Sequence, residues 1–417
     1  MKGTPTQQAA HQNNAEATAP NASPNTSPNP PFEVLLPEER KVLLLAVVCT
    51  CCMVLGVSSI MPLLPMLAEH FQVSIPLVSL LIIAFTLPGI FFTPLAGVLA
   101  DKYGRKTVLV PSILLFSLAG GACALAPNFT VLVVLRFMQG IGAASFGMLN
   151  ATILGDTFAG NRLSRYMGWN MALLSICTAL FPALGGVLGQ LDWRLPFALP
   201  VLALPGVWVT LRTPLRGAGP ARPFMTYLAG MFRAGAAPST RRLLLMTFLT
   251  FTILYGPIIT CFPVLAHVRF EAPPALIGAL LTLSSLGTGL ASWRFGALTT
   301  RFSFVRLLLA SQVCYLVALF AIPVMPTMLA LLPVLMLYGI GQGLNIPSIQ
   351  SALMACAPPE GRASIMALNG MLLRLGQTVS PFLFSLLADG VHLNAPFLAA
   401  ALIPLAMLAL TRGMSRE

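Results

Sequence analysis

Arg136 and Arg374 each lie inside a long apolar stretch of this 417-residue chain, and no Asp or Glu stands midway along any such stretch. A guanidinium in that setting can clamp a carboxylate or phosphate through paired N–H donors, or bond to backbone carbonyls of neighbouring helices. General acid–base work would need a carboxylate pair, a nucleophile would need a base, and a metal would need Cys, His, Asp or Glu at ligand spacing. None of these patterns occurs within the apolar stretches. The run "CTCC", 49–52, has no His or carboxylate nearby, so its thiols read as small buried side chains, and the eight cysteines imply no disulfide framework. "GIGQG", 339–343, sits within an apolar stretch without a strand before it, which favours close helix packing over a phosphate loop. No metal, cofactor or enzymatic activity is expected. Charge gathers instead at Asp101, Lys102, Arg105 and Lys106, in a chain that is only 9% charged.

The elements that carry these residues follow from hydropathy. With 57% hydrophobic residues and a mean hydropathy of +0.84, the chain is too apolar for an ordinary soluble domain. A hydrocarbon layer of about 30 Å needs roughly 20 apolar residues per helix. Twelve stretches fit: 42–66, 76–100, 107–126, 130–155, 164–190, 195–211, 243–266, 275–298, 305–324, 328–354, 363–388 and 394–411. They are apolar on every side and too long for barrel strands, so the fold class is an all-α membrane protein. The net charge of +12 does not indicate nucleic acid, because the basic residues track the membrane. With the N-terminus inside, nineteen of the 24 Lys and Arg fall on the inner side and only Arg194 and Arg269 on the other, which places both termini in the cytoplasm. Residues 1–40 read as a disordered tail without a signal peptide, 41–211 and 243–411 as two six-helix bundles, 212–242 as a connecting loop and 412–417 as a short tail. Within the loop, Phe224, Leu228, Met231 and Phe232 share one helical face, so this segment either lies along the membrane surface or is a solvated linker.

The two bundles repeat one another. "MQGIGAASFGMLNATILGDTFAGNR", 138–162, matches "LYGIGQGLNIPSIQSALMACAPPEGR", 337–362, so Gly140, Gly142 and Arg162 answer Gly339, Gly341 and Arg362 at an offset of 199 to 200. "FGALTTRFSFVR", 295–306, is a worn copy of "GVLADKYGRKTVLV", 97–110. Parallel duplication of six helices is a transporter layout in which the path runs between the halves.

Taken in order, "GVLADKYGRK" at 97–106, "LRFMQGIGAA" at 135–144, "PALGGVLG" at 182–189 and "MPLLP" at 61–65 resemble the signature segments of the major facilitator superfamily, in its twelve-span drug:proton antiporter branch. The resemblance covers about residues 40–411 and implies two pseudo-symmetric six-helix bundles that alternate access to a central site. It implies a cytoplasmic gate built from Gly97, Asp101, Gly104, Arg105, Lys106, Asp156, Arg162 and Arg362. In that gate Asp101 would meet the start of span 11 near Arg362–Ser364, and Arg105 would pair with Asp156. The alternative is a basic loop that only sets topology. Gly140, Gly142, Pro182, Gly185, Gly186 and Gly189 are read as sites of close packing and bending. Phe181 and Cys177 stand where the antiporter pattern has Gly, a departure that weakens a strict export assignment.

Arg136 lies about seven residues into span 4 and Arg374 about twelve into span 11, roughly 18 Å deep. A cation there costs at least about 2.5 kcal/mol against lipid, so both are expected to face the central cavity, with Arg374 placed to bind an anionic group. Bonding to helix carbonyls is the alternative for each. Asn345, Asn369 and Gln377 join the candidate substrate or proton pathway because they occupy spans 10 and 11 near Arg374. Ser58 stands where this branch often has a carboxylate in span 1, so proton coupling has no evident carrier. The reading is a secondary transporter of the cytoplasmic (inner) membrane, expected as a monomer, exporting a small amphipathic or anionic organic compound, with protons as a candidate coupling ion. Uptake or exchange of a metabolite anion, and a transport-inactive sensor or scaffold, are the alternatives.

Overall fold

The computed structural model describes residues 35–215, 224–356 and 362–414, and from Pro37 onward the chain forms one compact unit. Among the described residues, twelve helices long and apolar enough to cross a membrane follow one another: span 1 Pro37–Phe71, span 2 Ile75–Tyr103, span 3 Arg105–Cys123, span 4 Phe129–Thr157, span 5 Gly160–Leu191 and span 6 Arg194–Arg212. After them come span 7 Pro238–Phe270, span 8 Pro274–Thr299, span 9 Phe304–Val324, span 10 Met328–Cys356, span 11 Ser364–Gly390 and span 12 Ala395–Arg412. The count agrees with the sequence expectation, and several ends extend past it. Pro37, Glu38 and Glu39 begin span 1 inside the stretch assigned to a tail, because Pro at a first turn and acidic residues beside the positive helix end favour helix where apolarity is absent. Arg241 and Arg242, assigned to the loop, are likewise helical in span 7, and the last helix runs to Met414. The rest of the expected N-terminal tail, 1–34, lies outside the described residues, as do 216–223 of the loop and 415–417.

An even number of spans puts the described chain ends on one face, called here the terminal face. Gly104 makes the abrupt turn there between spans 2 and 3 at φ 92, a left-handed conformation that a Cβ disfavours by about 1–2 kcal/mol. On the remote face, spans 1 and 7 both end in a left-handed residue that is not glycine, Gln72 at φ 53 and Glu271 at φ 52. These two positions are 199 residues apart, so the duplication extends to the caps. The linking segment folds as a helix, Phe224–Ala234, whose Met231 is fully buried and Phe232 exposed. A Cβ on nearby Gly235 would touch Leu368, so this segment is seated against span 11 as well as lying on the surface.

Between helices in lipid, packing replaces hydrophobic drive, and glycine sets how closely backbones approach. Within the first bundle a Cβ on Gly142 would strike the span 3 backbone at Phe116 N, 2.6 Å, and Ser112 O, 2.7 Å, while Gly140 abuts the Phe85 carbonyl of span 2. In the second bundle Gly339 and Gly343 abut the backbone of span 8 at Ser284 and Thr288, so the glycines of "GIGQG" serve packing.

Candidate substrate path between the bundles

The bundles join mainly along two seams, spans 2 with 11 and spans 5 with 8. Along the first, Ser385 and Ser79 hydroxyls lie 3.4 Å apart, the Thr378 hydroxyl donates to Thr86 at 3.0 Å, and a Cβ on Gly89 would touch the Arg374 side chain at 3.1 Å. Along the second, Gly186 abuts the Pro274 backbone, Gly278 abuts that of Pro182, and the Thr282 hydroxyl donates to the Ala179 carbonyl at 2.5 Å. These contacts run from the remote end of each helix to about its midpoint. Toward the terminal face the same helix faces are bare: eighteen residues before Gly186, Gly168 would place a Cβ with no atom within 4 Å, and so would Gly289 and Gly296 of span 8. Gly168 and Gly296 stand five whole turns from Gly186 and Gly278, and Gly289 about three turns from Gly278, so these glycines share the seam face. The bundles therefore meet in the remote half and part toward the chain ends.

Arg374 stands where the seam ends. Its side chain belongs to the second bundle and lies against Gly89 of the first; it is half-buried, and Nη1 donates to Gln377 Oε1 at 3.1 Å. Among the described residues no carboxylate pairs with it. Tyr255, on a stretch of span 7 widened around Pro257 over Leu254–Cys261, is its electrostatic neighbour. Widened turns of this kind recur at functional sites because they re-aim side chains without ending the helix. A partly exposed cation with open donor capacity can accept an anionic group.

Arg136 departs from the expectation that it faces the cavity. It is completely buried inside the first bundle, with Nε donating to Leu81 O at 3.1 Å, Nη2 to Gly56 O at 2.7 Å and Nη1 to Gln139 Oε1 at 2.7 Å, and Phe85 stacks 4.5 Å from its guanidinium. Three acceptors and an aromatic face compensate the buried cation, so this is the carbonyl-bonded alternative, and it ties spans 1, 2 and 4 together. Asn345 is also enclosed, its amide donating to Thr250 Oγ1 at 2.6 Å and its Oδ1 accepting from Ser311 at 3.3 Å. Asn369 Oδ1 accepts from the Thr247 hydroxyl at 2.6 Å, binding span 11 to span 7.

An equivalent cluster in the first bundle was not singled out from sequence. The Thr50 hydroxyl donates to Asn170 Oδ1 at 2.6 Å, and the Asn150 amide donates to Thr50 Oγ1 at 2.7 Å and to Asn170 at 3.1 Å. The repeat carried the signal, since Asn170 and Asn369 are 199 residues apart and Thr50 and Thr250 are 200 apart. Also unforeseen is the remote-face contact of Glu69 with His267 at 2.9 Å.

The gate charges are arranged within the first bundle. Arg105 bonds both Asp101, four residues earlier on its own turn, and Asp156 at 3.3 Å, the latter as the resemblance implied. Asp101 is more than half exposed and bonds Arg105; of the start of span 11, where the resemblance would have it meet a partner, the side chain of Arg362 lies outside the described residues. Lys106 caps the end of span 6 through the Leu211 carbonyl at 2.9 Å, where the helix dipole favours a cation. Arg162 reaches Glu39 of span 1 at 3.0 Å. Gly97 leaves room for Met148, whose sulfur would lie 2.8 Å from a Cβ there. The backbone of Arg362 starts the span 11 helix, and its side chain lies outside the described residues. Gly185 and Gly189 seat span 5 on Ser59 and Leu63 of span 1, while Pro182 presents its carbonyl to Gly278 across the seam.

Twelve membrane-length helices among the described residues, in two duplicated bundles, define a membrane transporter fold, and comparison with known proteins agrees. The model of the Major Facilitator Superfamily matches residues 46–273 and 243–414, and the chain belongs to that superfamily. Over 152 residues it is 32% identical to the bacillibactin exporter of Bacillus subtilis (strain 168), a stretch covering 35% of this chain and 38% of that one. Over 156 residues it is 30% identical to the quinolone resistance protein NorA of Staphylococcus aureus (strain MRSA252), covering 36% and 39%. The matched stretch thus spans well under half the length of these curated relatives. Among solved structures, the nucleoside transporter NupG superposes with a TM-score of 0.75 at 12% identity, covering 90% of this chain and 99% of that one. The human organic anion transporter MFSD10 (TETRAN) superposes at 0.68 and 19%, covering 90% and 100%. These two likenesses concern the fold.

Proposed function

We propose that this transporter exports a small amphipathic or anionic organic compound from the cytoplasm by alternating access, the bundles 41–211 and 243–411 rocking about a site at Arg374. The observation that carries this reading is the Arg374 guanidinium, partly buried between the bundles at the inner limit of their contact, with Gln377 as its hydrogen-bond acceptor. A cation at this depth is costly unless a solute or water meets it, which is why a binding role is favoured over a packing one. The excess of Lys and Arg on the terminal face supports cytoplasmic chain ends in the inner membrane, which makes the present arrangement inward-facing. The curated relatives named above as an exporter and a resistance protein support the outward direction. In the opposite state the terminal face closes, and Asp101 turns from Arg105 toward the start of span 11. The test is a screen of organic anions and amphipathic compounds in energised inside-out vesicles, with and without a protonophore. Accumulation of an anionic compound that requires the intact protein supports export, and its loss on adding the protonophore supports coupling to protons. Movement in the opposite direction only replaces export by uptake, and no movement of any solute replaces transport by a sensor or scaffold role.

A further inference from the structure

At the remote face a polar side-chain pair links the ends of spans 1 and 7. His267 Nε2 lies 2.9 Å from Glu69 Oε1, and His267 Nδ1 lies 3.2 Å from the carbonyl oxygen of Ala272. The chain returns to that carbonyl by way of Glu271 at φ 52 and a bond from Ala272 N to Ala266 O, so the ring is held by its own bundle. A carbonyl only accepts, which requires hydrogen on Nδ1. In a neutral ring Nε2 is then a lone pair, and a lone pair facing a carboxylate oxygen repels it. Both contacts form together when one further proton is present, as imidazolium against carboxylate or as carboxylic acid donating to Nε2. Glu69 is on the first bundle and His267 on the second, so the bond exists only while the two span ends are together.

We propose that Glu69 and His267 are a proton-binding site shared between the bundles, filled when the remote face is closed and emptied when it opens. Their side chains are 68% and 30% exposed, so the proton exchanges with the solution on that face rather than with the membrane interior. Other charged groups nearby are directed elsewhere. His70 stacks 5.1 Å from Trp193, Arg269 donates to the Pro323 carbonyl at 2.5 Å, and Asp192 accepts from Arg194 N at 2.9 Å. Glu271 is the cap residue itself, and neither the start of span 2 nor the first five turns of span 8, which contact the helical ends that carry the pair, contain a charged residue. By linkage the state that binds the extra proton is favoured in acid. The closed arrangement, which holds one proton more than the open one, is therefore populated less as the pH rises.

The inference rests on the alternating-access reading, and a conformational measurement separates the two. Genetically encoded spin labels at Leu125 and Val324, exposed ends of spans 3 and 9 on opposite bundles at this face, report its opening in the full chain in nanodiscs. Raising the pH from about 5.5 to about 8.5 should increase the open-to-closed ratio about fivefold, the size of one half-exposed ion pair. Glu69→Gln and His267→Gln should flatten that response. Glu69→Lys should invert it, because acid then sets two cations against each other, an outcome that a merely structural pair would not give. A wild-type ratio unchanged across this range, or a wild-type response retained by Glu69→Gln or Glu69→Lys, overturns the proposal. Protein that responds to pH but moves no solute refutes the transport reading alone, and export with a pH-silent remote face refutes this one alone.

Discussion

Replacing Gly186 by Val should displace the protein from the arrangement seen here. A Cβ at Gly186 would lie 2.9 Å from the Pro274 carbonyl carbon and 3.0 Å from Ala275 Cα, and nearer still to the Pro274 oxygen. These are helix backbone atoms, so no rotamer change relieves the overlap. Overpacking of this kind costs about 1–3 kcal/mol. Because spans 5 and 8 belong to different bundles, the penalty falls on the state with the remote face closed and not on the state with it open. The open-to-closed ratio should therefore rise about 5- to 150-fold. Gly185→Ala is the matched control: its Cβ would fall 2.6 Å from Ser59 Cα within the same bundle, so it should lower the melting temperature without moving the ratio. Distances between labels on spans 3 and 9 read the outcome. An unchanged distance distribution for Gly186→Val, or an equal shift for Gly185→Ala, would refute the assignment of this glycine to a seam that opens.

Arg374→Ala should weaken binding of an anionic solute about 10- to 100-fold, the worth of about 1.5–3 kcal/mol from a charged hydrogen bond, with the fold intact; equal vesicle transport by both proteins removes Arg374 from the site. Arg136→Met should instead destabilise the first bundle by about 2–3 kcal/mol, since Leu81, Gly56 and Gln139 lose their donor; an unchanged melting temperature with transport abolished would return Arg136 to the pathway. Gly289→Leu meets open space in the present state and should leave its stability unchanged while arresting turnover, because span 8 could no longer close on span 5 at the terminal face; normal transport rates would show that this face does not pack in the cycle.

Chain chemistry alone established the twelve spans, since apolarity over some 20 residues forces a helix wherever water is absent. It also established the duplication, through repeated glycines and an Arg at constant offset, and it marked Arg136 and Arg374 as costly and therefore notable. The Gly-rich segments were legible as close-packing sites, though not which helix each one meets. Whether a buried Arg faces solute or carbonyls was not legible, because that depends on acceptors from other spans: Leu81 and Gly56 enclose Arg136, whereas the Arg374 side chain lies against Gly89, which offers it no side chain. The pairing of Asp101 was not legible either, since it varies with whether the bundles touch at that face. Glu69 and His267 are 198 residues apart, and neither stands out locally. Hydropathy and repetition are local properties that survive in a one-dimensional string. The partners of a side chain, and the side of the membrane on which two bundles meet, are properties of helices brought together in space, and these the tertiary structure alone decided.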